Sequence, residues 1–217
     1  MIAACGRVDF ERHDVLGDGA VPDVAAPVSC GSNVLLDDPF DDTTDGPLFI
    51  AYSNPGMTTS EAGGSVSFVF SPSTGAGRYS GYDSAMLYPS QELCATVEIG
   101  EIPVDEGLGY FNIVAGTQKI EFIVYRGNLE LRIVESGTPT GVGLFPFDPI
   151  AYKFWRLRQH AGVTYWDVSA DNMTFANLAM TTFFTQTMAK AAVGAGAVMT
   201  TTNGGKLTVQ QIQITAP

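Results

Sequence analysis

Apolar and polar residues alternate with a period of two along most of this chain, the spacing of strands half-buried against a core. Residues 153–159 (KFWRLRQ) put Trp155 and Leu157 on one face and Arg156 and Arg158 on the other, which predicts an antiparallel strand. Ala161-Gly162 separates this run from a second, residues 163–169 (VTYWDVS). The two together predict a β-hairpin with a short glycine-containing loop. Ser169-Ala170-Asp171-Asn172 then supplies side chains that bond their own backbone and favour a tight turn, beyond which Phe175 and Leu178 return apolar groups toward the hairpin.

The same alternation recurs upstream and downstream. Residues 65–71 (SVSFVFS) turn Val66, Phe68 and Phe70 inward, and residues 93–99 separate Leu93, Ala95, Val97 and Ile99 from Cys94, Thr96 and Glu98. Residues 110–114, 119–125 and 129–133 follow as a meander, the last two joined by a turn at Arg126-Gly127-Asn128. Between 72 and 81 (PSTGAGRYSG) the glycines predict a loop carrying Arg78 and Tyr79, with Tyr82 just after it. Threonines and glycines around AAVGAGA oppose a helix over 181–202, so strand and loop are expected there. Residues 207–215 (LTVQQIQIT) close the domain as a strand whose apolar parity switches between Val209 and Ile212, predicting a bulge near Gln210-Gln211. Short strands with a turn every eight to twelve residues predict an all-β fold, an antiparallel β-sandwich.

Residues 6–33 show no apolar period and are rich in Gly, Pro, Ala and Asp. This divides the chain into an N-terminal start and flexible linker, 1–33, and a folded module, 34–217. A length of 217 residues with 45% hydrophobic and 16% charged residues suits one sandwich with one core. With 23 acidic against 11 basic residues the formal charge is −12, which repels phosphate backbones and sets nucleic acid aside as a partner. Asp37, Asp38, Asp41, Asp42 and Asp45 crowd around Phe40. They are candidate calcium ligands, although no EF-hand spacing is present, and the alternative is a solvated acidic loop.

The order W-R-L-R, turn, then Tyr165-Trp166 with Ser169, Asp171, Asn172 and Phe175 is similar to bacterial modules of the concanavalin A-like lectin/glucanase (laminin-G-like) superfamily. Phe175 stands where Trp is commoner and Asn172 where Gly is usual; Asn accepts a left-handed backbone better than most residues. The resemblance covers roughly 35–217 and implies a jelly roll, whose concave face can carry ligand-facing side chains. Arg78, Tyr79, Tyr82, Tyr125, Tyr165 and Asp167 are the candidate ligand-binding residues. Aromatic rings stack on the C–H face of a sugar while polar neighbours fix its hydroxyls. Outward parity places Glu121 and Ile123 beside Tyr125. Anchors that pin a loop, or ordinary sheet-surface pairs, are the competing reading.

Glycoside hydrolases of this superfamily carry Glu-x-Asp-x-Glu on one strand, three carboxylates on one face. No such run occurs here; Glu98, Glu101, Asp105 and Glu106 mix faces and are interrupted by Gly100 and Pro103. The two histidines, His13 and His160, offer neither a nucleophile's base nor a zinc site. The expectation is therefore a protein without enzymatic activity, a lectin-like module displayed outside the cytoplasm that binds a carbohydrate or a protein surface. A structural component that self-assembles by strand addition is the alternative, and a divergent glycoside hydrolase ranks last.

Ile2-Ala3-Ala4-Cys5-Gly6 resembles the lipobox of bacterial lipoproteins, which implies lipidation at Cys5 and an exported lipoprotein at the cell surface or facing the periplasm. A membrane is then met only through that anchor. With Cys5 so used, Cys30 and Cys94 remain as an even pair for a disulfide, against the alternative of a free thiol at Cys94. Beyond the possible calcium, no cofactor is expected.

Overall fold

The computed structural model describes residues 30–41 and 48–216. Among them the chain forms sixteen strands. They are β1 (Asn33–Asp38), β2 (Phe49–Ser53), β3 (Met57–Glu61), β4 (Val66–Phe70), β5 (Arg78–Ser84), β6 (Tyr88–Pro89), β7 (Cys94–Ile99), β8 (Gly107–Ala115), β9 (Gln118–Tyr125), β10 (Asn128–Glu135), β11 (Thr138–Pro146), β12 (Phe154–His160), β13 (Val163–Ser169), β14 (Ala176–Thr181), β15 (Met188–Ala197) and β16 (Lys206–Ala216). Two antiparallel sheets of eight strands face each other. Sheet A runs β14-β13-β12-β7-β16-β4-β3, with β1 also on β16, and sheet B runs β11-β10-β9-β8-β15-β5-β2, with β6 on β15. The architecture is the all-β jelly-roll sandwich.

The alternation in the sequence decides which side chains meet between the sheets. Sheet A contributes Phe68, Val97, Trp155, Leu157 and Trp166, and sheet B contributes Phe111, Ile120, Phe122, Leu129 and Leu131, all buried. Removing each such side chain from water stabilises the fold by roughly 1.5–3 kcal/mol. Both indoles keep their N–H bonded: Trp155 Nε1 donates to Tyr152 O at 2.9 Å, and Trp166 Nε1 crosses to the carbonyl of Glu121 in the other sheet at 3.1 Å. A buried indole without a partner would forfeit much of what its ring contributes.

The turns follow the sequence. Ala161 (φ 49°) and Gly162 (φ 80°) close β12–β13, and Arg126 and Gly127 close β9–β10 in the same left-handed conformation. Asn172 is left-handed too (φ 59°), in a turn where the Asp171 carboxylate accepts the N–H groups of Met173 and Thr174. The register of β16 against β7 shifts between Val209 and Gln211, the bulge that the parity switch implies. One expectation changes: Arg78 and Tyr79 open strand β5 and do not lie in a loop. Four further strands, β2, β3, β11 and β14, carry no clean alternation in sequence. They are short or edge strands, exposed enough that polar residues, Gly and Pro interrupt the period.

On the outer face of sheet A, Asp167 is wedged between two guanidinium groups. Its Oδ2 accepts from Arg156 Nε (3.0 Å) and Nη2 (2.8 Å) and from Arg158 Nε (2.9 Å), and its Oδ1 from Asn177 Nδ2 (2.9 Å). Phe175 folds back so that Arg156 lies 3.6 Å from its ring centroid, and Arg158 lies 4.0 Å from that of Tyr165. Cys94, on this face, is joined by a disulfide to Cys30 with a Cα–Cα distance of 5.7 Å. Replacing Asp167→Ala leaves two largely buried cations facing one another, and destabilisation by about 3–5 kcal/mol is expected in chemical denaturation. A loss below about 1 kcal/mol would show that the pair is solvent-screened instead.

Candidate functional site

The outer face of sheet B is recessed into a cleft of about 480 Å³. Its position follows from small residues in one strand. Facing outward, β15 offers Lys190, Ala192, Gly194 and Gly196, and its neighbour β5 offers Gly81. A Cβ at Gly194 would lie 2.3 Å from the Tyr110 hydroxyl, one at Gly196 would lie 2.1 Å from the Tyr79 ring, and one at Gly81 would lie 2.5 Å from the hydroxyls of both Tyr52 and Tyr110. The three tyrosines therefore lie on bare backbone that any side chain would deny them. Tyr52 and Tyr110 hydrogen-bond through their hydroxyls, and Tyr79 meets Tyr110 edge-on with 6.4 Å between centroids. Tyr79 keeps 38% of its surface exposed. Leu108, Tyr110 and Ile123 form a small apolar cluster of their own on this face, with Tyr52 and Tyr125 packed against it.

Beside the aromatic floor runs a polar row fixed by strand register: Asp83, Ala192, Asn112, Glu121 and Arg132 are successive cross-strand partners. Glu121, only 3% exposed, meets Lys119 Nζ at 2.6 Å and Arg132 Nε at 3.3 Å; the same Nε is 3.6 Å from Glu130 Oε1. Burial, reinforced by the charge of Glu121 and opposed by Arg132, raises the Glu130 carboxyl above the ordinary range. Asn112 is 6% exposed, and its Oδ1 has no hydrogen-bond partner among the described residues. Chemically the cleft offers an aromatic floor with one exposed ring, an amide with free capacity, and two carboxylates that share one guanidinium.

The sequence-based candidates divide among several places. Tyr79 lines the cleft; Arg78 precedes it, exposed, and does not. Tyr125 is on the same face, but its hydroxyl donates to Glu106, which Arg126 also binds, and these two partners hold the Glu106 carboxyl below its usual range. Tyr82 requires correction. It points between the sheets at 1% exposure, its ring stacked 5.5 Å from Phe49, because its position on β5 has inward parity. Tyr165 and Asp167 also require correction as partners of this site, since they lie on the outer face of sheet A, engaged with the two arginines. Outward parity does not say which sheet a strand joins. Lys119, Arg132, Tyr52, Tyr110 and Asn112 also line the cleft; the two glycines of β15 and Gly81 mark the tyrosines in the sequence, and the polar residues carry no such mark.

Of the acidic cluster, Asp37 accepts from Gln211 Nε2 at 2.8 Å, Asp38 accepts the Phe40 N–H at 2.8 Å, and Asp41 is exposed. Asp42, Asp45 and Cys5 lie outside the described residues. Among the described residues no group of three or more His, Cys, Asp or Glu is placed to hold a metal ion.

No protein-family model matches the chain, and no curated protein matches it in sequence. Solved structures do match in fold. An endo-β-1,3-glucanase from Pyrococcus furiosus aligns with a TM-score of 0.64 at 8% identity over 84% of this chain and 94% of its own. A β-glucanase from Bacillus licheniformis gives 0.61 at 12% over 85% and 99%. A protein of unknown function from Shewanella oneidensis MR-1 gives 0.60 at 15% over 80% of each chain. The sandwich is thus the concanavalin A-like jelly roll on which glucanases are built. These neighbours overturn the expectation of a protein without enzymatic activity: a fold shared with glycoside hydrolases over so much of the chain makes the missing Glu-x-Asp-x-Glu run no ground for excluding catalysis.

The tyrosine floor has a spectroscopic signature. Burial pushes Tyr52 up to about 12, and Tyr110 well above the usual phenol value near 10. A folded-state pKa above the unfolded one means stability intact below pH 10 and declining as pH rises from about 10 to 12. Phenolate absorbance should show a class of tyrosines ionising late, together with a falling unfolding free energy in that window; Tyr52→Phe with Tyr110→Phe should reduce the late class by two tyrosines. Ionisation of all tyrosines near pH 10 in the folded protein would contradict the buried pair.

Proposed function

We propose that this chain binds a glycan in the cleft on the outer face of sheet B. The observation that carries the reading is Tyr79, an exposed ring lying over the bare glycine backbone of β15 in the same cleft as a buried polar row. Such a ring matches the apolar face of a pyranose at small entropic cost, and polar groups beside it match the hydroxyls. The fold shared with two glucanases makes β-glucans the first ligands to try. Glu121 and Glu130, on either side of one Arg132 Nε, give a physical reason to test for bond cleavage as well as binding.

An exported location, with a lipid anchor at Cys5, is part of the proposal. It is supported by the Cys30–Cys94 disulfide, which suits an oxidising compartment.

Titration calorimetry against a panel of soluble β-glucans and other polysaccharides, with calcium and with chelator, tests the reading. The Tyr79→Ala variant should lose about tenfold in affinity, roughly 1.4 kcal/mol, with its melting temperature nearly unchanged. Tyr165→Ala, on the opposite face, should bind as the parent does. New reducing ends in the same mixtures would establish hydrolysis. Silence across the whole panel in both conditions would rule the glycan reading out.

A further inference from the structure

We infer that Asn112 is the specificity-determining residue of this cleft, its amide taking a sugar hydroxyl at the polar end, and that the ligand spans more than one sugar ring. The inference rests on the glycan reading above and adds a residue, a length and a charge class to it. Register supplies the length. Tyr79 pairs with Gly196, and Gly196 pairs with Leu108. Asn112 is four residues further along β8, so the register positions of Tyr79, the exposed ring, and of the amide are separated by roughly 13 Å of strand, with Tyr110 between them. A single pyranose cannot touch both.

The buried amide itself is the second observation. A side-chain oxygen shielded from solvent and left without a hydrogen bond is rare in folded proteins, and each instance calls for a ligand or a bound water. Asn112 lines the cleft, so a partner arriving there meets its amide once the side chain turns to bring the shielded oxygen to the cleft wall. On one side its cross-strand neighbour is Ala192, whose methyl group leaves room. On the other is Glu121, whose two oxygens already face Lys119 and Arg132. An amide both donates and accepts, as a hydroxyl does, and the pairing holds whichever way the amide is turned.

The charge class follows from the same row. Lys119 and Arg132 are matched by Glu121 and Glu130, and Lys190 by Asp83, so these cations are already neutralised within the site. A chain of net charge −12 adds no long-range attraction for a polyanion. A neutral sugar fits where a uronate or a sulfate would need a free cation.

The test uses the intact chain with its disulfide formed, titrated with β-1,3-gluco-oligosaccharides of one to six sugars and with oligogalacturonides of the same lengths. Affinity should rise from one sugar to three in the neutral series and stay negligible in the anionic one. Asn112→Ala should lose tenfold or more on the longer neutral ligands. Its melting temperature should hold or rise, because the substitution removes a buried group that has no partner. A variant that melts several degrees lower, or that binds as the parent does while Tyr79→Ala does not, overturns the role of Asn112 and leaves the cleft as a glycan site. Tightest binding to a monosaccharide or to the anionic series overturns the length or the charge class. If the parent binds neither series, the inference falls together with the glycan reading for these ligands.

Discussion

The hydrogen bond from the Trp166 indole to the carbonyl of Glu121 ties the two sheets together at the point where the cleft is built. Trp166 belongs to sheet A and is wholly buried; Glu121 belongs to sheet B and sends its side chain the other way. The backbone of β9 is thus held from behind by the core while its outward side chains hold Lys119 and Arg132 in front. Rigidity at that position is what allows an ion pair, a buried amide and the tyrosine rings to keep their relative places. A site assembled on paired strands inherits the precision of the ladder.

The two outer faces put similar residue types to different ends. On sheet A, arginines, a carboxylate and aromatic rings close over one another until Asp167 is almost wholly buried. On sheet B the tyrosines settle close against the sheet, because β15 and β5 place glycines where side chains would otherwise hold them off. Each face buries a polar atom without a hydrogen-bond partner, Arg158 Nη1 on sheet A and Asn112 Oδ1 on sheet B, and only the second belongs to a residue that lines the cleft.

What was legible in the sequence was whatever depends on one strand at a time. The in-and-out assignment of Trp155, Leu157, Phe68 and Val97, the β12–β13 turn and the bulge in β16 are local properties, set by period and by turn chemistry. The cleft was not, because it depends on neighbours. That Gly194 and Gly196 sit under Tyr110 and Tyr79 is a statement about register between strands some eighty to a hundred and twenty residues apart in the chain. Tyr82 and Tyr165 illustrate the same limit from the other side. Each is a tyrosine in a glycine- or arginine-flanked strand, and only the pairing shows that one faces the core and the other the wrong sheet.

The Cys30–Cys94 disulfide fixes more than a loop. Cys94 projects from the outer face of sheet A, so the chain enters the sandwich there, and β1 runs from that point along β16 of the same sheet. The cleft opens on the outer face of sheet B. Entry and opening are thus on opposite sides of the molecule, as a lamp's flex and its bulb are. A tether placed at Cys30 would leave the mouth of the cleft unobstructed, its tyrosines turned away from the point of attachment.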